Sequence, residues 1–155
     1  AAVADFHFRV SELAREMAGA GAEIGRVRDR LRHMRAALVE TPNADPSLHS
    51  RMDEISRRLE EMNLQFSGDP IRGQWNMPSV PSIRSRVGYV QYGQWDTRQE
   101  PTETQLMSME IAEREYAAFI GGLKDLIEVD LLQLENDLAA AGAPWTPGRR
   151  LPGGG

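Results

Sequence analysis

From Phe6 to Leu38, apolar side chains return every seven residues. Phe6, Leu13, Ala20, Val27 and Met34 form one row. Val10, Met17, Ile24, Leu31 and Leu38 form a second, offset by four. Two rows offset in this way make an a/d seam, which predicts one helix over 5–39, about 50 Å long. Asp5 is placed to cap its start. The run TPNADP at 41–46 stops it, because proline and asparagine do not continue a helix.

The same pattern predicts three more helices. Asp45 as N-cap and Pro46 at the first helical position open a helix over 46–67, and Gly68 ends it. The aperiodic stretch SGDPIRGQWNMPS at 67–79 reads as a loop held down by Trp75. A shorter helix follows over about 80–94, with Ile83, Val87 and Val90 facing inward and Gly88 and Gly93 weakening it. Thr102 and Gln105 form a capping box at the start of the last helix, 102–141. Its apolar face is expected to run through Leu106, Met109, Tyr116, Ile120, Leu123, Ile127, Leu131, Leu134 and Leu138. Gly142 is placed for its C-cap, with Pro144 beyond. The expected fold is an all-α, antiparallel up-down-up-down four-helix bundle of two long and two shorter helices. It is expected to be a single domain over 1–148 with a flexible tail at 149–155.

The stretch GAGAEIG at 19–25 stands close to the G-x-G-x-x-G turn that cradles phosphates. That turn needs a preceding strand, whereas here the heptad frame passes straight through, with Ala20 and Ile24 in register. The helix therefore continues, although three glycines cost it about 3 kcal/mol against alanine. Ala14, Ala18, Gly21 and Gly25 form a small-residue groove beside the seam, and Gly121 and Gly122 lie near the midpoint of the last helix. These six are the candidate helix-packing or interface positions. With the long helices antiparallel, the two glycine sites share a layer, and Tyr116 or Phe119 is expected to fill the space.

Composition removes several functions. A net charge of -5 opposes nucleic acid as the main partner. The absence of cysteine excludes disulfides and thiolate chemistry. No apolar run reaches the roughly 18 residues of a membrane span, and AAVADFHFRV has no secretory leader pattern. Di-iron bundles use Glu-x-x-His, but Ala4, Arg30 and Pro46 stand three before His7, His33 and His49. No G-x-S-x-G elbow appears, so no catalytic, metal or cofactor-binding residue is assigned. Glu110, Glu113, Glu115, Glu128 and Glu135 are read as a solvated face. The five arginines of RVRDRLRHMR at 26–35 are read as wrapping around the first helix, with Asp53 and Glu54 near Arg30 and Arg32, rather than as an anion-binding surface. Trp75, Trp95 and Trp145 sit just outside helices. They are expected to cover the ends of the core, the alternative being stacking on sugars or anchoring of partners.

Three stretches, PSIRSRVGYVQYGQW (81–95), PTETQ (101–105) and LIEVDLLQLENDLAAAGAPWTPGR (126–149), carry a resemblance, and RVRDRLRHMRAAL adds to it. Together they resemble the helical region at the C-terminus of large bacterial sortilin-like, BNR-repeat β-propeller proteins, often labelled glycosyl hydrolases. The resemblance implies that any hydrolase activity belongs to a propeller absent from this chain. SGDPIRGQW at 67–75 departs from the Asp-box of such repeats, with Ile71 in place of glycine and Trp75 one position late. It also implies an extracytoplasmic setting. The expected function is a non-catalytic packing, docking or oligomerisation module with protein partners. The alternatives are a carbohydrate-binding or glycoside-hydrolase-associated domain and a subunit of a multiprotein complex.

Overall fold

The computed structural model describes residues 2–95 and 99–149. The chain is all-α with four principal helices and, among the described residues, no strand. The first two are α1 (Ala2–Val39) and α2 (Ser47–Ser67). After a short turn, α3 (Pro70–Gln74), come α4 (Ile83–Gln94) and a final helical run. That run comprises α5 (Glu103–Asp125), a π-helical segment (Leu126–Leu131) and α6 (Leu132–Ala140).

All ten seam residues of α1 are buried, so the heptad rows do mark its inner face. The caps follow the local chemistry. Asp45 Oδ1 accepts from the Ser47 amide at 2.9 Å. At Thr102 and Gln105 the reciprocal bonds are 3.0 and 3.2 Å. Gly68 and Gly142 take the left-handed φ values of 86° and 85° that end α2 and α6. Asp5 is not a cap, because α1 already begins at Ala2 and places Asp5 in its first turn. The stretch 67–79 is not wholly a loop. Asp69 caps α3 by accepting from the amides of Ile71 and Arg72, and Trp75 at its end is exposed rather than holding the segment down. Ser82 caps α4 by accepting from the Ser85 amide, so that helix starts later than its apolar pattern suggests.

The final run departs from its expected face for a specific reason. Its buried apolar residues are Met109, Ala112, Tyr116, Phe119, Leu123 and Leu126, then Leu131, Leu134 and Leu138. Steps of three and four give way to one step of five, from Leu126 to Leu131, across the π segment. A π turn absorbs one extra residue. The inner stripe therefore passes through Phe119 and Leu126, leaving Ile120 exposed and Ile127 half-buried. Leu106, one turn before the stripe reaches Met109, is exposed as well.

The residues group into two compact units, Ala1–Gly21 with Glu61–Gly121, and Ala22–Glu60 with Gly122–Gly155. In the first unit, Phe66 stacks on Phe119 with ring centroids 4.7 Å apart, and the Arg84 guanidinium lies 5.2 Å from the centroid of Phe66. Arg9 pairs with Glu113, and Glu16 acts on Tyr116, so α1 and α5 run in the same direction here. His7 meets Gln94 whereas Gly21 lies beside Arg84, so α4 runs opposite to α1. This is not the up-down-up-down alternation expected, which opposes the last helix to the first. Loop length limits how far a connection reaches, and does not set the direction of the helix that follows.

In the second unit the helices are tied by ion pairs. Arg28 with Glu60 and Arg35 with Asp53 join α1 to α2, antiparallel. Arg51 with Asp137 and Arg58 with Asp130 join α2 to the final run, again antiparallel. Arg30 does not approach Asp53 or Glu54 as expected, but pairs with Glu135, and Arg32 pairs with Asp29. Glu135 is therefore no part of a solvated face. It is 3% exposed, because the chain direction brings α6 rather than α2 opposite Arg30.

Candidate functional site

The first unit carries an open cleft of about 520 Å³ between α1 and α4. On α1, the spacing i, i+3, i+4 puts His7, Val10 and Ser11 on one side. From α4 come Gln91, Tyr92 and Gln94, with Trp95 at its C-cap. The run VGYVQYGQW at 87–95 contains no charged residue, and among the described residues no Asp, Glu, Lys or Arg lines the cleft; Asp96 and Arg98, which follow Trp95 in the sequence, lie outside the described residues.

Its polar wall is built by a chain of hydrogen bonds. His7 Nε2 donates to Gln94 Oε1 at 2.7 Å. Gln94 Nε2 donates to Gln105 Oε1, also at 2.7 Å. Gln105 Oε1 accepts in addition from the Thr102 amide, so the capping box of α5 orients the buried Gln94 side chain. Gly93 makes room for this arrangement, since a Cβ there would lie 2.4 Å from Gln105 Nε2. With both amide atoms of Gln94 engaged, its rotamer is set, and the His7 ring is set with it. Tyr92 and Trp95 stand out from this wall, 88% and 86% exposed.

Among the residues that the sequence marks as candidates, only Trp95 belongs to the cleft. Trp75 and Trp145 are 74% and 49% exposed and lie outside it. Trp75 and Trp95 are too exposed to cover the end of a core, whereas about half of Trp145 is covered. The aromatic surface of Trp75 and Trp95 is open to solvent, which the loop composition around them could not reveal. Of the small-residue positions, Gly21 is half-buried beside Phe66 and Arg84, at ordinary contact distances of 3.7 and 3.5 Å. Phe66, not Tyr116 or Phe119, is the ring next to it. Ala14 is half-buried, Ala18 and Gly25 are exposed, and Gly122 is half-buried. A Cβ added at Gly25 or Gly121 would meet nothing within 4 Å, so no described helix approaches closely at either.

Sequence reasoning weighed His7 only as a metal ligand and set it aside, and passed over Ser11, Gln91, Tyr92 and Gln94. The available signal was the uncharged aromatic and amide run of α4. Every arginine of 26–35 has an acidic partner, Arg26 through Glu23 and the rest as described above. Among the described residues, no group of three or more histidine or acidic side chains is placed to hold a metal ion. Among them, too, no helix is long and apolar enough to cross a membrane. No family model, no curated protein and no solved structure matches the chain.

Proposed function

We propose that this chain is a non-catalytic helical interaction module of a larger protein or assembly, docking through the segment between α2 and α4. One observation carries the reading. Residues 71–80 are all exposed, and they include Ile71, Trp75, Met77 and Val80. Fully burying a large apolar side chain contributes about 1.5–3 kcal/mol, so four of them within ten residues form a surface that gains by being covered. The resemblance to the helical region of sortilin-like propeller proteins supports an accessory role of this kind, beside a propeller or a further subunit.

Sedimentation equilibrium over a concentration series, together with binding of a hydrophobic dye, tests the reading. The expected result is association beyond the 17.3 kDa monomer or strong dye binding, either one lost in the Trp75→Ser/Val80→Ser variant. A monomer at all concentrations, with dye binding unchanged by the double substitution, would overturn it.

A further inference from the structure

We infer that the cleft between α1 and α4 is a binding site for a neutral carbohydrate. It is separate from docking through 71–80, since the two surfaces share no residue. The described lining favours one ligand class. A phosphate, carboxylate or sulfate ligand needs a cation, and among the described residues no Lys or Arg lines the cleft. An organic cation would find rings but, among the described residues, no carboxylate to fix it. A wholly apolar ligand would cover the polar groups of Ser11 and Gln91 without pairing them.

A pyranoside suits what remains. Its C–H face packs against aromatic rings, and its hydroxyls both donate and accept. Tyr92 and Trp95 lie three apart at the end of α4, the spacing that puts neighbouring side chains on one face of a helix. Both present large, rigid rings to solvent at low entropic cost. Around them, the Ser11 hydroxyl and Gln91 amide supply donors and acceptors. The imidazole of His7 is held in place through Gln94 and Gln105. The cleft volume lies within the usual range of small-ligand sites. Because the cleft is open and its ligand would keep much of its hydration, affinity is expected to be modest, with Kd about 0.1–1 mM.

The test is titration calorimetry on the whole chain with neutral tetrasaccharides of glucose, mannose and N-acetylglucosamine, and with tetragalacturonate as the acidic comparison. At least one neutral probe should bind, and tetragalacturonate should bind at least about tenfold more weakly. Trp95→Ala and Tyr92→Ala should each weaken binding by about tenfold or more, while Trp75→Ala leaves it unchanged. All three residues are surface-exposed, and circular dichroism checks that the helices persist. The proposal is overturned if no neutral probe binds at about 10 mM, if Trp75→Ala weakens binding as much as Trp95→Ala, or if the acidic probe binds equally well. A self-association abolished by Trp95→Ala would also overturn it, assigning the rings to a protein interface.

Discussion

Arg30 on α1 donates from both Nε and Nη2 to a single carboxylate oxygen of Glu135 on α6, at 3.1 and 2.5 Å. The Glu135 side chain is 4% exposed and that of Arg30 19%. The carboxylate is thus almost wholly removed from water, and Arg30 is the cation that balances it.

Removing one partner from such a pair is expected to cost more than replacing both. Arg30→Met should destabilise by about 3–4 kcal/mol, because it leaves a buried charge with no partner. Glu135→Leu should cost less, since the longer and more accessible arginine can move its head to solvent. The double variant should recover to within about 1 kcal/mol of the parent. A urea-denaturation double-mutant cycle measures this, and equal, additive costs would show that the pair is uncoupled.

The glycines divide into two groups by what surrounds them. Gly19, Gly25, Gly88 and Gly121 have nothing within 4 Å of an added Cβ. Each substitution to alanine should stabilise the isolated chain by about 0.5–1 kcal/mol through helix propensity alone. Gly148 is different. Its φ is 86°, and a Cβ would lie 2.7 Å from Arg30 Cγ, so Gly148→Ala should destabilise and disturb the Arg30 side chain. Thermal unfolding of the five single variants checks the division. A loss of stability in Gly25→Ala would mean that a close neighbour exists there.

Gly93→Ala sets two effects against each other. Helix propensity favours alanine by about 1 kcal/mol. Displacing the Gln105 amide, however, strands the buried Gln94 amide, a cost of about 1–3 kcal/mol. The net expectation is a small loss of stability, accompanied by a change in the His7 ring resonances by NMR. A stabilised variant with unchanged His7 signals would show that the hydrogen-bond chain does not hold the cleft wall.

The π segment makes a prediction about deletions. Removing the exposed Glu128 would turn the five-residue step between Leu126 and Leu131 into a four-residue step, which an ordinary α-helix accommodates. Both halves of the inner stripe would stay in register. Deleting exposed Ala118 instead rotates every later side chain by about 100° and should unfold the chain. If both deletions are equally disruptive, the π turn is not what keeps the two stripes aligned.

Acid should destabilise the second unit. The Arg28 guanidinium bonded to Glu60 holds its carboxyl below the usual range, and Arg51, then Gln133, does the same to Asp137. Each carboxylate binds fewer protons in the native state than in the unfolded chain over the acid range. Its contribution is complete above the ordinary carboxylate pKa and is lost as pH falls through the lower native value. Glu60→Gln and Asp137→Asn should flatten the fall in urea midpoint below about pH 5. For the half-exposed Glu60 pair the effect is small, about 0–1 kcal/mol. An unchanged pH slope in the double variant would refute the assignment.

Periodicity and caps in the sequence determined where the helices lie and which face of α1 is buried. An a/d row is a property of one helix, and a Thr–Gln box or a left-handed glycine acts within a few residues. The same local logic failed at Ile120 and Leu126, because a π turn forms only when packing makes one phase shift worth its poorer backbone geometry. It failed again at Arg30, whose partner depends on the direction of a helix about a hundred residues away in the chain. The cleft lay furthest from view, since His7 and Gln94 are adjacent only after α4 has folded back along α1. Local bonds write themselves into spacing, whereas the partners of Arg30 and His7 are chosen by how whole helices pack.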